Sequence, residues 1–93
     1  MYHKIESLIF AYGIIPMLKF LEEQEQEENY EICAVIFSVL SDWKDLHGDI
    51  PTKYSEEALQ WQLDIFKEVG VSDKYFTQNL PHYVKLIAES VLQ

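Results

Sequence analysis

From Ile32 to Leu40, nine residues carry one polar side chain, Ser38. With Tyr30, Trp43 and Leu46 they form a segment, about Glu27 to His47, that is apolar on nearly every side if helical. Such a helix is buried, because no face of it suits water. The pattern predicts a central helix over this stretch, with the rest of the chain packed around it.

The neighbouring segments follow the same helical period. Ile5, Leu8, Ile9 and Tyr12 share one face over about His3 to Tyr12. Gly13 offers a stop, and Pro16 suits the first turn of a following helix that carries Met17, Leu18 and Leu21. The same pair could instead kink one long helix. His47-Gly48-Asp49-Ile50-Pro51 is a second stop. Thr52 or Ser55 can cap the next helix, with Glu56 and Glu57 in its first turn. Leu59, Leu63 and Phe66 form its inner stripe, flanked by Ala58, Trp61, Ile65 and Val69, and Gly70 ends it. Ser72 is placed to cap a short turn holding Tyr75 and Phe76. Asn79 and Pro81 open a last helix with Val84, Ile87, Ala88 and Val91 on one face. No stretch alternates with period two, and three Gly and three Pro leave little room for the turns of an all-β fold. The expected fold is all-α: one domain, 1–93, built as a small bundle of four to six helices.

Charge narrows the partners. Sixteen carboxylates against seven cations give a net charge of −9, and every cation is Lys. Arg is the usual bidentate reader of phosphates and guanine edges. An acidic chain without it is a poor direct binder of nucleic acid, and anionic membrane surfaces repel it. A basic protein is the electrostatically easy partner. The longest uninterrupted apolar run, Leu8 to Leu18, is eleven residues, short of the roughly 20 needed to span a bilayer. One cysteine, Cys33, leaves no internal disulfide to form. No signal peptide is read at the start, so the expected compartment is the cytoplasm.

Glu22, Glu23, Glu25, Glu27, Glu28 and Glu31 fall within ten residues without an intervening Lys. On a continuous helix these span about 15 Å, or one charge per about 2.5 Å. At about 100° per residue they would spread around the whole helix instead of forming one docking stripe. A break near Gln24 to Gln26 would leave Glu27, Glu28 and Glu31 at the start of the next helix, where its dipole favours them. The leading reading is a solvated connection between helices. The functional alternative is an acidic patch that docks a basic partner.

The other chemistry-bearing residues lack a supporting pattern. Asp45, Asp49 and Glu56 match positions one, five and twelve of a calcium loop, but Ile50 stands where the turn needs Gly, and His47 and Lys53 occupy ligand positions. His3, His47 and His82 are too far apart for metal spacing. No Glu-x-x-His occurs, no nucleophile motif is present, and the three Gly residues are isolated. Cys33, in the most apolar stretch, reads as a buried, inert thiol. The sequence thus points to no catalytic residue, cofactor or metal.

Thirteen aromatic residues remain. Most belong in a core, but Trp and Tyr also anchor interfaces when exposed. Trp43 and Trp61, flanking the Asp-rich loop, are the first candidates for partner binding, with Tyr54 and Tyr83 behind them. The expected function is non-enzymatic: a protein-interaction domain acting as adaptor, regulator or subunit, with a second copy of the chain also a candidate partner. The alternative is an acidic inhibitor that covers a basic, nucleic-acid-binding surface. It resembles immunity proteins and antitoxins in size and charge alone. A small metal-binding or enzymatic helical domain is the third class.

Overall fold

Glycines and capping serines divide the chain into five helices. The computed structural model describes residues 1–93, Asp73 by its backbone alone. The elements are α1 (Tyr2–Tyr12), α2 (Ile14–Gln26), α3 (Tyr30–His47), α4 (Glu56–Val69) and α5 (Asp73–Leu92). No strand occurs among the described residues, and no helix is long and apolar enough to cross a membrane.

The Gly13–Pro16 pair separates two helices. Gly13 takes φ +96, a conformation that an L side chain rarely reaches. Pro16 is the third residue of α2, where a backbone N–H has no acceptor within the helix, so its absence is harmless.

The turn after α2 comes later than the sequence suggests. The helix runs through Gln26, and the break falls at residues 27–29. Glu28 adopts φ +62. The Asn29 N–H donates to the Gln24 carbonyl (2.9 Å) and the Glu28 N–H to that of Glu25 (3.1 Å). This paired closure of a helix end places its left-handed residue at Glu28. Buried Gln24, 2% exposed, is served by the same turn: the Asn29 amide donates to its Oε1 at 2.7 Å. Only Glu31 therefore lies in the first turn of α3.

Helix α4 begins at Ser55, whose Oγ accepts from the Ala58 N–H at 3.0 Å. It ends with the same closure as α2, with Gly70 left-handed and the Val71 N–H donating to the Phe66 carbonyl at 2.8 Å. Ser72 caps a helix far longer than the expected short turn. Its Oγ accepts from Tyr75 at 3.4 Å, and α5 then continues through Pro81 for 20 residues. Asn79 and Pro81 do not open a separate helix. Pro81 withdraws the donor from the Thr77 carbonyl, and both residues are exposed, so water can serve that acceptor.

The centre of the bundle is α2, not the segment over 27–47. Ile14, Ile15, Pro16, Met17, Leu18, Phe20, Leu21 and Gln24 of α2 are buried, and α2 packs against all four other helices. In α3 only Cys33, Ile36, Val39 and Leu40 are buried, while Ala34, Phe37 and Ser38 face solvent. The physical reason is packing: α3 rests on α1 and α2 alone, which covers one side of it. From α5, Phe76, Val84, Ile87 and Val91 complete the core. The expected stripe of α4, Leu59, Leu63 and Phe66, is half-buried, and Ala58 is its one fully buried residue.

Candidate interaction site

Phe10 stands at the C-terminal end of α1, beside the last turns of α3. Its ring lies 4.9 Å from that of Trp43, and Trp43 lies 5.4 Å from the His47 imidazole. The chain then turns at Gly48, and the following loop carries Asp49 and Ile50 back towards α4. Together Ile9, Phe10, Ile14, Trp43, His47, Asp49, Ile50 and Trp61 line an open groove of about 580 Å³. The structure thus brings Trp43 and Trp61, distant in sequence, to one place.

The groove is apolar where it is deep and more polar at its mouth. Ile9 and Ile14 are buried, Trp43, Ile50 and Trp61 half-buried. Phe10 is 74% exposed, and Leu46, one residue before His47, is 78% exposed. Asp49 and Trp61 also border an adjoining hollow with Lys53 and Glu57. Phe10 and Leu46 were not candidates from sequence. Phe10 sits between the core residues Ile9 and Ile14, and Leu46 belongs to a segment expected to be apolar all round. Their exposure follows from how α1 meets α3, which periodicity does not reveal.

The other sequence candidates lie elsewhere. Tyr54 is half-buried, with the Lys19 ammonium 4.9 Å from its ring centre, so it fastens the α3–α4 loop to α2. The same Lys19 pairs with Glu22 at 3.0 Å, and that bond pushes the ammonium pKa up. Tyr83 stacks on Tyr12 at 5.5 Å. These two rings, with Tyr75, Phe66, Phe76, Val71 and Ala11, border a smaller hollow of about 160 Å³. The Tyr75 hydroxyl bonded to Tyr83 raises the Tyr83 pKa.

The acidic run divides as well. Glu22 and Glu23 are half-buried on α2, while Glu25, Glu27, Glu28 and Glu31 are exposed around the α2–α3 turn. The 18 residues of α3, about 27 Å at helical rise, separate that turn from His47 and the groove. Cys33 is buried, and burial pushes its thiol pKa up, which makes it unreactive at neutral pH. Among the described residues no three His, Cys, Asp or Glu side chains converge so as to hold a metal ion.

No protein-family model matches the chain, and neither a curated protein nor a solved structure is similar to it.

Proposed function

We propose that the chain is a non-enzymatic protein-interaction domain whose groove between Phe10, Trp43, Ile50 and Trp61 takes an apolar segment of another protein. One observation carries the reading: Phe10, which lines a groove whose deepest residues are apolar, is 74% exposed, and Leu46, next in α3 to the groove residue His47, is 78% exposed. Large apolar side chains around a concavity mark binding surfaces on small proteins. Aromatic anchors, above all Trp, dominate the energetics of such surfaces. Asp49 at the mouth, on a chain of net charge −9, suits a partner with basic residues flanking its apolar segment. A reducing compartment such as the cytoplasm suits the buried free thiol of Cys33.

The test compares two forms of the chain. Tagged wild type and a Phe10→Glu/Leu46→Glu variant are used to recover partners from the native cell, each washed at low and at high salt. Both substitutions fall on exposed positions, so the variant keeps its fold, which circular dichroism checks. The reading expects a partner retained by the wild type at high salt and lost by the variant. Trp43→Ala should weaken the same partner. Equal recovery on both forms overturns it. So does a partner that salt removes and polynucleotide displaces, an outcome that assigns binding to the exposed Glu25–Glu31 corner and an acidic-inhibitor role.

A further inference from the structure

We infer that the hollow where the ends of α1, α4 and α5 meet is a binding site for a trimethylammonium group, held there by aromatic rings. The hollow shares no lining residue with the groove between Trp43 and Trp61. Tyr12 is the last residue of α1, and Phe66 lies in the last turn of α4. Tyr75 and Phe76 lie in the first turn of α5, and Tyr83 stands further along the same helix. Five rings therefore border one concavity. Phe76 is buried, Tyr12, Phe66 and Tyr83 are half-buried, and Tyr75 is exposed. Tyr12 stacks on Tyr83, and Phe66 meets Phe76 edge to face at 4.9 Å. The rings brace one another, so the hollow exists before any ligand arrives.

Size, charge and hydration together select the ligand. A volume of about 160 Å³ is close to the roughly 150 Å³ that holds one benzene. It lies below the roughly 300 Å³ at which pockets for drug-sized molecules begin, so it takes a head group and leaves the rest of the molecule outside. The faces of aromatic rings attract cations. The C-terminal ends of α1 and α4, which carry partial negative charge, border the same space through Tyr12 and Phe66. The N-terminal end of α5 opposes them, but Ser72 takes up two of its N–H groups, that of Tyr75 on Oγ and that of Phe76 on its carbonyl. Among the described residues no Lys or His lines the hollow. Lys67, Lys74 and His82 adjoin lining rings in sequence only, the His82 ring lying 6.2 Å from that of Tyr83. The chain as a whole carries a net charge of −9, which favours a cation over an anion.

Hydration decides between cations. Apart from phenol hydroxyls, the lining side chains offer no hydrogen-bond acceptor. A primary ammonium is strongly hydrated and would give up its water without replacement. A trimethylammonium has no N–H to satisfy and presents methyl groups to the rings, the arrangement by which aromatic cages hold quaternary ammonium ligands.

A choline-type small molecule and a trimethylated Lys side chain both carry this group. Ring-proton magnetic resonance of the full chain, titrated with choline, reads the binding. We expect saturable shifts of the Tyr12, Tyr75 and Tyr83 rings, with a dissociation constant of about 1 mM. Dimethylbutanol, the uncharged isostere in which carbon replaces the nitrogen, should bind about tenfold more weakly. Tyr75→Leu and Tyr83→Leu keep apolar bulk but remove a ring, and each should weaken choline about threefold or more; the first, at an exposed position, keeps the fold if the second does not. Phe10→Glu/Leu46→Glu should leave choline binding unchanged, which separates this site from the groove. In a second titration a short peptide carrying trimethyl-Lys replaces choline. The tighter of the two identifies the source of the group, and the same peptide with unmodified Lys should leave the rings unshifted. Absence of saturable shifts at tens of millimolar overturns the proposal. So does dimethylbutanol binding as well as choline, which would leave an apolar hollow only, or choline binding indifferent to Tyr75→Leu.

Discussion

Phe20 and Phe37 are the same residue on two apolar helices, and the structure assigns them opposite weights. Phe20 lies in α2 with no exposed surface, whereas Phe37 lies in α3 at 46% exposure. Phe20→Ala removes a ring enclosed on all sides. Lost transfer energy and the cavity left behind cost together about 3–5 kcal/mol. Phe37→Ala removes a ring already half in water and leaves no enclosed void, so its cost is about 1 kcal/mol. A domain of 93 residues has a total stability of about 5–14 kcal/mol, so the first substitution takes a large share. Each kcal/mol shifts the melting temperature of a domain this size by about 4–8 °C. Phe20→Ala should therefore lower Tm by about 15–30 °C, and Phe37→Ala by about 5 °C. Urea unfolding followed by far-ultraviolet circular dichroism, at protein concentrations of a few micromolar, measures both. Phe20→Leu, which keeps most of the volume, should lose about 1–2 kcal/mol and remain folded if the alanine variant does not. If Phe37→Ala loses as much as Phe20→Ala, α2 is not the centre of the core and the reasoning fails.

Two further outcomes follow from local geometry. Glu28 and Gly70 occupy the same left-handed position at the ends of α2 and α4, and a side chain there costs about 1–2 kcal/mol. Glu28→Gly should raise stability by about 1 kcal/mol, read as a higher urea midpoint; an unchanged or lower midpoint refutes the strain. Bonded to the Asp42 carboxylate, the Tyr2 phenol is pushed up from 10.0 to about 12. The folded chain holds that proton more tightly than the unfolded one, so the contribution is complete below pH 10.0 and is lost as pH rises through about 12. The tyrosinate absorbance of wild type minus Tyr2→Phe should show a midpoint near 12, and a midpoint near 10.0 refutes the bond.

Most boundaries were legible because single residues set them. Gly13, Gly70, Ser55 and Ser72 act through their own backbone or side chain, and a reader needs no tertiary knowledge to see them. The five-helix, all-α outcome follows from those signals and the helical period. What escaped is what depends on neighbours. The apolar residues of α2 share their helix with the run Glu22 to Gln26, so it reads as half polar, yet eight of its first eleven residues are buried. Segment 27–47 looks central because Ala34, Phe37 and Ser38 match its apolar surroundings in composition, but only two helices lie against it. Pro81 reads as a start because nothing in sequence shows that Thr77, the acceptor it deprives, faces water. Of the residues that line the groove, Trp43 and Trp61 stood out in the sequence from their place beside the loop. Phe10 was missed because exposure is a property of the assembled bundle.

The position of α2 also governs the order in which the fold can be completed. Its cover comes from both sides of the sequence: α1 before it, and α3, α4 and α5 after it. Phe76, Val84, Ile87 and Val91 close the core from the last 20-residue helix. A growing chain that has reached only Gly70 holds Met17, Leu18 and Phe20 without that final layer. Local helices can form as each emerges, but the enclosed state needs α5. The core of this bundle is therefore closed only when α5 lies across α2.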